Sequence, residues 1–178
     1  GGLAAAIDLA ASGIRVTLLE RQATPGGKMR EHVVGGFRID AGPTVFTMRW
    51  VFDELFQAAG TSLDAHVDLI AAEVLARHSW LDGSRLDLYT DLQRSIDAIG
   101  DLAGPAEAQA YRRFAHHSQH IFETLDHSFM RRERPGPLAL TFSLGVGGLP
   151  RLYATRPFTS LWQELGRIFG DPRLQQLF

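Results

Sequence analysis

The chain opens on a glycine pair, a run of helix formers, and an apolar, β-branched run that closes on an acid: GGLAAAIDLAASGIRVTLLE, residues 1–20. Residues 3–12 favour a helix, and Gly13 stands where a helix C-terminal glycine belongs. Residues 14–20 have the composition of a buried strand. If a strand and the first glycines of a dinucleotide fingerprint precede Gly1, Gly2 is the fingerprint's third glycine, the one that lets helix and strand pack closely. The helix start then faces a diphosphate, because its free N–H groups and dipole favour negative charge. Glu20 stands at about the distance expected of a carboxylate that accepts ribose hydroxyls. An acid there suits a free 2′-OH and disfavours a 2′-phosphate. The same residues also fit an ordinary helix–strand pair whose terminal glutamate is solvated.

Further elements follow in a readable order. Residues 29–40, MREHVVGGFRID, read as a hairpin turning at Gly35–Gly36. Trp50, Val51, Leu55, Phe56 and Ala59 recur at helical spacing, and Gly60 stops that helix. VLARHSWLDGSRLDLY, residues 74–89, is a second hairpin joined through Asp82, Gly83 and Ser84. A helix over 91–102 and a longer one over 104–129 come next, the latter carrying Tyr111, Phe114, Ala115, Ser118, Ile121, Phe122 and Leu125 on its apolar side. Thr159 or Ser160 caps a helix reaching Phe169, and Asp171 with Pro172 begins another. This order predicts an α/β fold: a nucleotide-binding layer over 1–103, then a mainly helical region over 104–178.

Composition narrows the chemistry. With no cysteine among 178 residues, thiolate nucleophiles, thiolate metal sites and disulfides are excluded. A net charge of −2 exerts no general pull on nucleic acid. His116 and His120 share a helix face beside His117, but no HExxH arrangement accompanies them and His127 adds little, so no metal site is expected. No nucleophile-elbow pattern occurs. The longest uncharged run, residues 135–150, falls short of the roughly 20 residues of a membrane span and is broken by glycine and proline. Arg131, Arg132 and Arg134 precede it, and Arg151 and Arg156 follow. Apolar surface bordered by arginines suits contact with a membrane interface, and equally a glycine-rich core segment with solvated cations.

The turn PGGKMR, residues 25–30, comes only a few residues after Glu20 and leads into GGFRIDAGPTVFT, residues 35–47. Taken together, Gly1, Gly2, Glu20, Pro25, Gly26, Gly27, Lys28, Asp40, Ala41, Gly42, Pro43 and Thr44 resemble the FAD-dependent amine-oxidase-like superfamily, and within it the carotenoid (phytoene-type) desaturases. The run DAGPTVFTMRWVFDELF looks closest to the 1-hydroxycarotenoid 3,4-desaturases, or methoxyneurosporene dehydrogenases. The resemblance is dense over 1–60 and looser over the rest. It implies a Rossmann-like FAD-binding layer, incomplete here, and a chain that is the N-terminal fragment of a longer protein, stopping at Phe178 within a helix. It implies FAD contacts at Gly1, Gly2, Glu20, Arg21, Gly26, Gly27, Lys28, Pro43 and Thr44, with Arg30 a further cation near the turn. Family members often carry arginine where Lys28 stands, so a point charge replaces a bidentate fork. No catalytic base is assigned. The implied activity is desaturation of a C–C bond in an acyclic hydroxycarotenoid by a cytoplasmic protein in peripheral contact with the membrane. A flavin amine oxidase of the same fold, and a non-catalytic lipid-escort protein resembling the Rab GDP-dissociation inhibitors, are the alternatives.

Overall fold

The structure, a computed structural model, describes residues 1–43, 45–126, 130–131 and 159–178. They form helices and two separate antiparallel hairpins. The chain divides into two compact units, Gly1–Ile70 and Ala71–Phe178. The expected division near 103/104 therefore lies within the second unit, between two helices that pack on each other.

In the first unit, α1 (Gly2–Ala11) ends as its sequence dictates. Gly13 takes a positive φ of 80°, its N–H donates to the Ala10 carbonyl, and the Ile14 N–H donates to that of Leu9. This is the Schellman pattern, which a left-handed glycine makes accessible. The first hairpin pairs β1 (Glu31–Val34) with β2 (Phe37–Asp40) in the register Glu31↔Asp40 to Val34↔Phe37. Gly35 and Gly36, at φ 59° and 83°, supply the two left-handed positions a two-residue turn of this hand requires. Helix α2 (Arg49–Ala58) starts after Met48, a non-glycine residue held at φ 54°, and ends in a second Schellman pattern at Gly60. Its face of Phe52, Leu55 and Phe56 is half-buried, whereas Val51, expected on the apolar side, is exposed. A 3-10 turn, Leu63–Ala65, packs back on α2, and Leu63 is the unit's one fully buried side chain among the described residues. Arg49 holds that return by bonding Asp53 at 3.2 Å and Asp64 at 2.5 Å.

The strand expected over 14–20 is not formed. These residues join no ladder among the described residues, and Ile14, Leu18 and Leu19 are exposed, Leu19 by 89 %. The physical reason is cooperative. A strand between parallel neighbours is fixed by their hydrogen bonds, and the only described pairings are two antiparallel hairpins.

The second unit has a larger core. Hairpin β3 (Val74–Ser79) and β4 (Arg85–Tyr89) turns where Asp82 accepts the Ser84 N–H at 2.8 Å and Gly83 adopts φ 84°. Helices α3 (Leu92–Ala103) and α4 (Pro105–Leu125) meet at Gly104, φ 93°, with Pro105 in the first turn. Helices α5 (Leu161–Ile168) and α6 (Pro172–Leu177) carry the expected caps: Ser160 with Gln163 as a capping box, and Asp171. Leu86, Ile99, Ala110, Leu165, Phe169 and Leu174 form the buried cluster. Around it Phe114, Phe169 and Phe178 lie with ring centroids 5.1–5.6 Å apart, edge-on, tilted and stacked, geometries that favour ring quadrupoles.

Two polar links organise this core. Ser95, fully buried, accepts the Tyr89 N–H at 2.8 Å and donates to the Tyr89 carbonyl at 3.0 Å, tying the end of β4 to α3. Glu107 accepts the Gly170 N–H at 2.9 Å, joining α4 to the α5–α6 junction. Ser95→Ala leaves both Tyr89 backbone groups without this partner, so a loss of about 1–3 kcal/mol is expected in urea unfolding, with an unchanged denaturant slope. The Arg173 side chain, bonding the Asp171 carboxylate, holds the Asp171 pKa below the usual carboxylate range despite partial burial. A depressed carboxylate contributes stability that is complete above its unfolded pKa, about 3.9, and declines as pH falls through the lower folded value. Asp171→Ala is accordingly expected to cost about 1 kcal/mol near neutrality. Its stability curve should converge on that of the unsubstituted protein under strongly acidic conditions, as followed by circular dichroism.

Candidate functional site

The register of the first hairpin juxtaposes the two glycine-bearing segments flagged in the sequence. Because Glu31 pairs with Asp40, the residues leading into β1 run beside those leaving β2. The Ala41 N–H donates to the Arg30 carbonyl at 2.8 Å, carrying the pairing one step past the strands. Glu31 is held by Arg38 across the ladder at 2.7 Å. The Met29 N–H closes the preceding turn on the Gly26 carbonyl at 3.1 Å. Gly26 and Gly27 have φ 129° and 63°, conformations that L side chains rarely adopt. A Cβ at Gly26 would also stand 2.6 Å from the Met29 carbonyl oxygen. Met29, Arg30, Glu31, Asp40, Gly42 and Pro43 thus line an open cavity of about 310 Å³.

The remaining expected contacts are placed as follows. Gly1 caps α1 through its backbone alone, and the first turn contains no acid. A Cβ on Gly2 would meet the Leu18 side chain at 3.8 Å, so the helix start lies beside the segment 14–20. Glu20 is exposed, and its Oε1 accepts the Gln22 N–H at 2.8 Å, folding the carboxylate onto the turn that follows it. Arg21, Lys28 and Arg30 are exposed and form no ion pair with the described residues. Pro43 lines the cavity, whereas Thr44 lies outside the described residues. No hydrogen bond among the described residues joins Glu20 or Arg21 to the hairpin cavity. The structure therefore brings residues 26–31 beside 40–43, while Gly2 lies beside the segment 14–20 and Glu20 bonds the turn that follows it.

This arrangement fits an extended, anionic dinucleotide in two respects. The turn is built where side chains are sterically refused, leaving backbone accessible to a ligand. Lys28 and Arg30, exposed and in no ion pair among the described residues, stand beside it, and the α1 N-terminus has no side-chain cap. Among the described residues no three potential metal ligands gather, and no helix is long and apolar enough to cross a membrane. The uncharged run 135–150 and Arg132, Arg134, Arg151 and Arg156 lie outside the described residues, as does His127; Arg131 pairs with Asp126 at 3.1 Å. Sequence inspection missed the role of Gly42, which packs against the Lys28–Met29 backbone. The available signal was a glycine two residues past the end of β2 and followed by proline.

Comparison with known proteins identifies the family. The family described as flavin containing amine oxidoreductase matches residues 1–141. The chain is 48 % identical over 178 residues to the hydroxyneurosporene desaturase of Rubrivivax gelatinosus, covering 99 % of this chain and 34 % of that protein. It is 45 % identical over 179 residues to the hydroxyneurosporene desaturase of Cereibacter sphaeroides, covering 100 % and 36 % respectively. Against the phytoene dehydrogenase of Streptomyces griseus it is 35 % identical over 177 residues, 99 % of this chain and 34 % of the relative. The chain thus spans about a third of the length of the curated relatives it matches. With the matched region containing both glycine-bearing segments and the acid that precedes them, this chain belongs to the flavin-containing amine oxidoreductase family.

Proposed function

We propose that these residues supply part of the FAD site of a desaturase acting on an acyclic carotenoid, with a 1-hydroxy- or 1-methoxycarotenoid and its 3,4 bond as the preferred target. The observation that carries this reading is the meeting of the PGGKMR turn with the segment after β2, in a chain 45–48 % identical to hydroxyneurosporene desaturases. The Rossmann-like arrangement of 1–103 and a substrate-facing role for the helices that follow are part of the same proposal, as is peripheral contact with a membrane. Such a substrate dissolves in the bilayer, which is why an enzyme acting on it needs an apolar approach.

FAD, when bound, would supply the two-electron acceptor for desaturation, in which one carbon of a CH–CH pair gives up a hydride and its neighbour a proton, leaving a C=C bond. The chain's own residues bind and orient. The uncapped start of α1, beginning at Gly2, offers backbone N–H groups to phosphate oxygens. Glu20 accepts from the adenosine ribose; its Oε2 makes no hydrogen bond among the described residues, while Oε1 steadies the carboxylate on Gln22. Lys28 contributes a point charge close to Gly27, and Arg30 and Arg21 add diffuse positive potential. Pro43 bounds the approach from the segment after β2.

The test uses a protein of the relatives' full length that carries these 178 residues. It should bind FAD and, given a 1-hydroxycarotenoid, produce the longer-wavelength absorption of an extended polyene. Turnover of amines without carotenoids would favour an amine oxidase, and absence of bound flavin would favour the lipid-escort alternative. Replacing Glu20 by Ala removes hydrogen bonds to a charged acceptor, so FAD affinity, followed by flavin fluorescence, should fall about ten- to a hundredfold. An unchanged affinity would remove Glu20 from the site.

A further inference from the structure

Three glycines build the junction beside the cavity, for different reasons. Gly26 and Gly27 are required by their backbone angles. Gly42 is not among the positive-φ residues, so its conformation alone would accept alanine. Space excludes it instead. A Cβ at Gly42 would lie 2.2 Å from the Lys28 carbonyl oxygen, 3.1 Å from the Met29 Cα and 3.2 Å from the Lys28 carbonyl carbon. All three are backbone atoms, so no side-chain rotation relieves the clash. Real Cβ contacts essentially never fall under 3.0 Å.

Two hydrogen bonds bracket this crossing. The Ala41 N–H donates to Arg30, immediately before Gly42, and the Met29 N–H donates to Gly26, immediately after Lys28. The backbone bearing Lys28 is therefore pressed onto Gly42 from above and pinned on both sides. Separating the strands there by the angstrom or more that a methyl group demands would disengage Ala41 from Arg30 and re-aim residues 28–30, the segment carrying the exposed cations Lys28 and Arg30. We propose that Gly42 is a positioning residue, whose missing side chain locks the PGGKMR turn onto the segment after β2 and thereby sets where Lys28 and Arg30 can meet a dinucleotide phosphate. The identity of the ligand rests on the function proposed above; the lock itself is a property of the backbone.

The experiment compares unsubstituted protein with Gly42→Ala, Gly26→Ala and Gly166→Ala, each in the full-length chain. Gly166 lies in α5 with nothing within 4 Å of a built Cβ, so its variant is the control. Amide hydrogen exchange and FAD titration are read side by side. At Gly42→Ala the Ala41 and Met29 amides should exchange at least about tenfold faster, and FAD should bind at least about tenfold more weakly. Gly26→Ala, striking the same junction from the other side, should reproduce both effects. The amides of α2 and of the Leu63 turn should stay protected in both, and Gly166→Ala should match the unsubstituted protein. Retained protection at Ala41 and Met29 overturns the lock, as does faster exchange spreading to α2. Lost protection with undiminished FAD affinity overturns the positioning role alone. Failure of the unsubstituted protein to bind FAD overturns the proposed function instead, and the exchange data still decide the lock.

Discussion

The pairing of Glu31 with Asp40 is the constraint on which the candidate site depends. A hairpin whose register slipped by one residue would turn every side chain to the opposite face and withdraw Gly42 from the Lys28 carbonyl. The register is set locally by Gly35 and Gly36, which close the turn in two residues, and is reinforced by the Arg38–Glu31 ion pair. The strands themselves have no buried side chain, so turn chemistry, rather than a core, specifies the alignment. Four paired residues on each side are enough to bring together motifs that stand well apart in the sequence.

The two units are stabilised in different ways. In Gly1–Ile70 helix caps, a tight turn and the Arg49 bonds to Asp53 and Asp64 do most of the organising, with Leu63 alone buried among the described residues. In Ala71–Phe178 a contiguous apolar cluster is ringed by aromatic side chains, with Ser95 satisfying the backbone where β4 gives way to α3. An exposed ion pair such as Arg49–Asp64 contributes little by itself. The geometry it holds matters more, because it returns the chain onto α2.

Elements with a local chemical cause were legible in the sequence. Gly35–Gly36, Asp82–Gly83–Ser84, Gly13, Gly60, Ser160 and Asp171 each announce a turn or a cap, and each acts as one. What depends on distant partners was not. Residues 14–20 carry strand composition, but composition cannot supply the neighbouring ladder that would make them a strand. Ser95 reads as a neutral helix residue until Tyr89 is placed against it. The motif residues were visible at the site, yet Gly42 could be distinguished from an ordinary loop glycine only after the Lys28 carbonyl was seen above it.

The bond between Glu107 and Gly170 has a consequence for how the second unit keeps its last two helices in place. It joins residues 63 positions apart, and Phe114 meets Phe169 and Phe178 nearby, so α4 is tied to the α5–α6 end by direct contacts of two kinds. One is polar and the other aromatic, so a substitution that removes either leaves the second to hold the same seam closed.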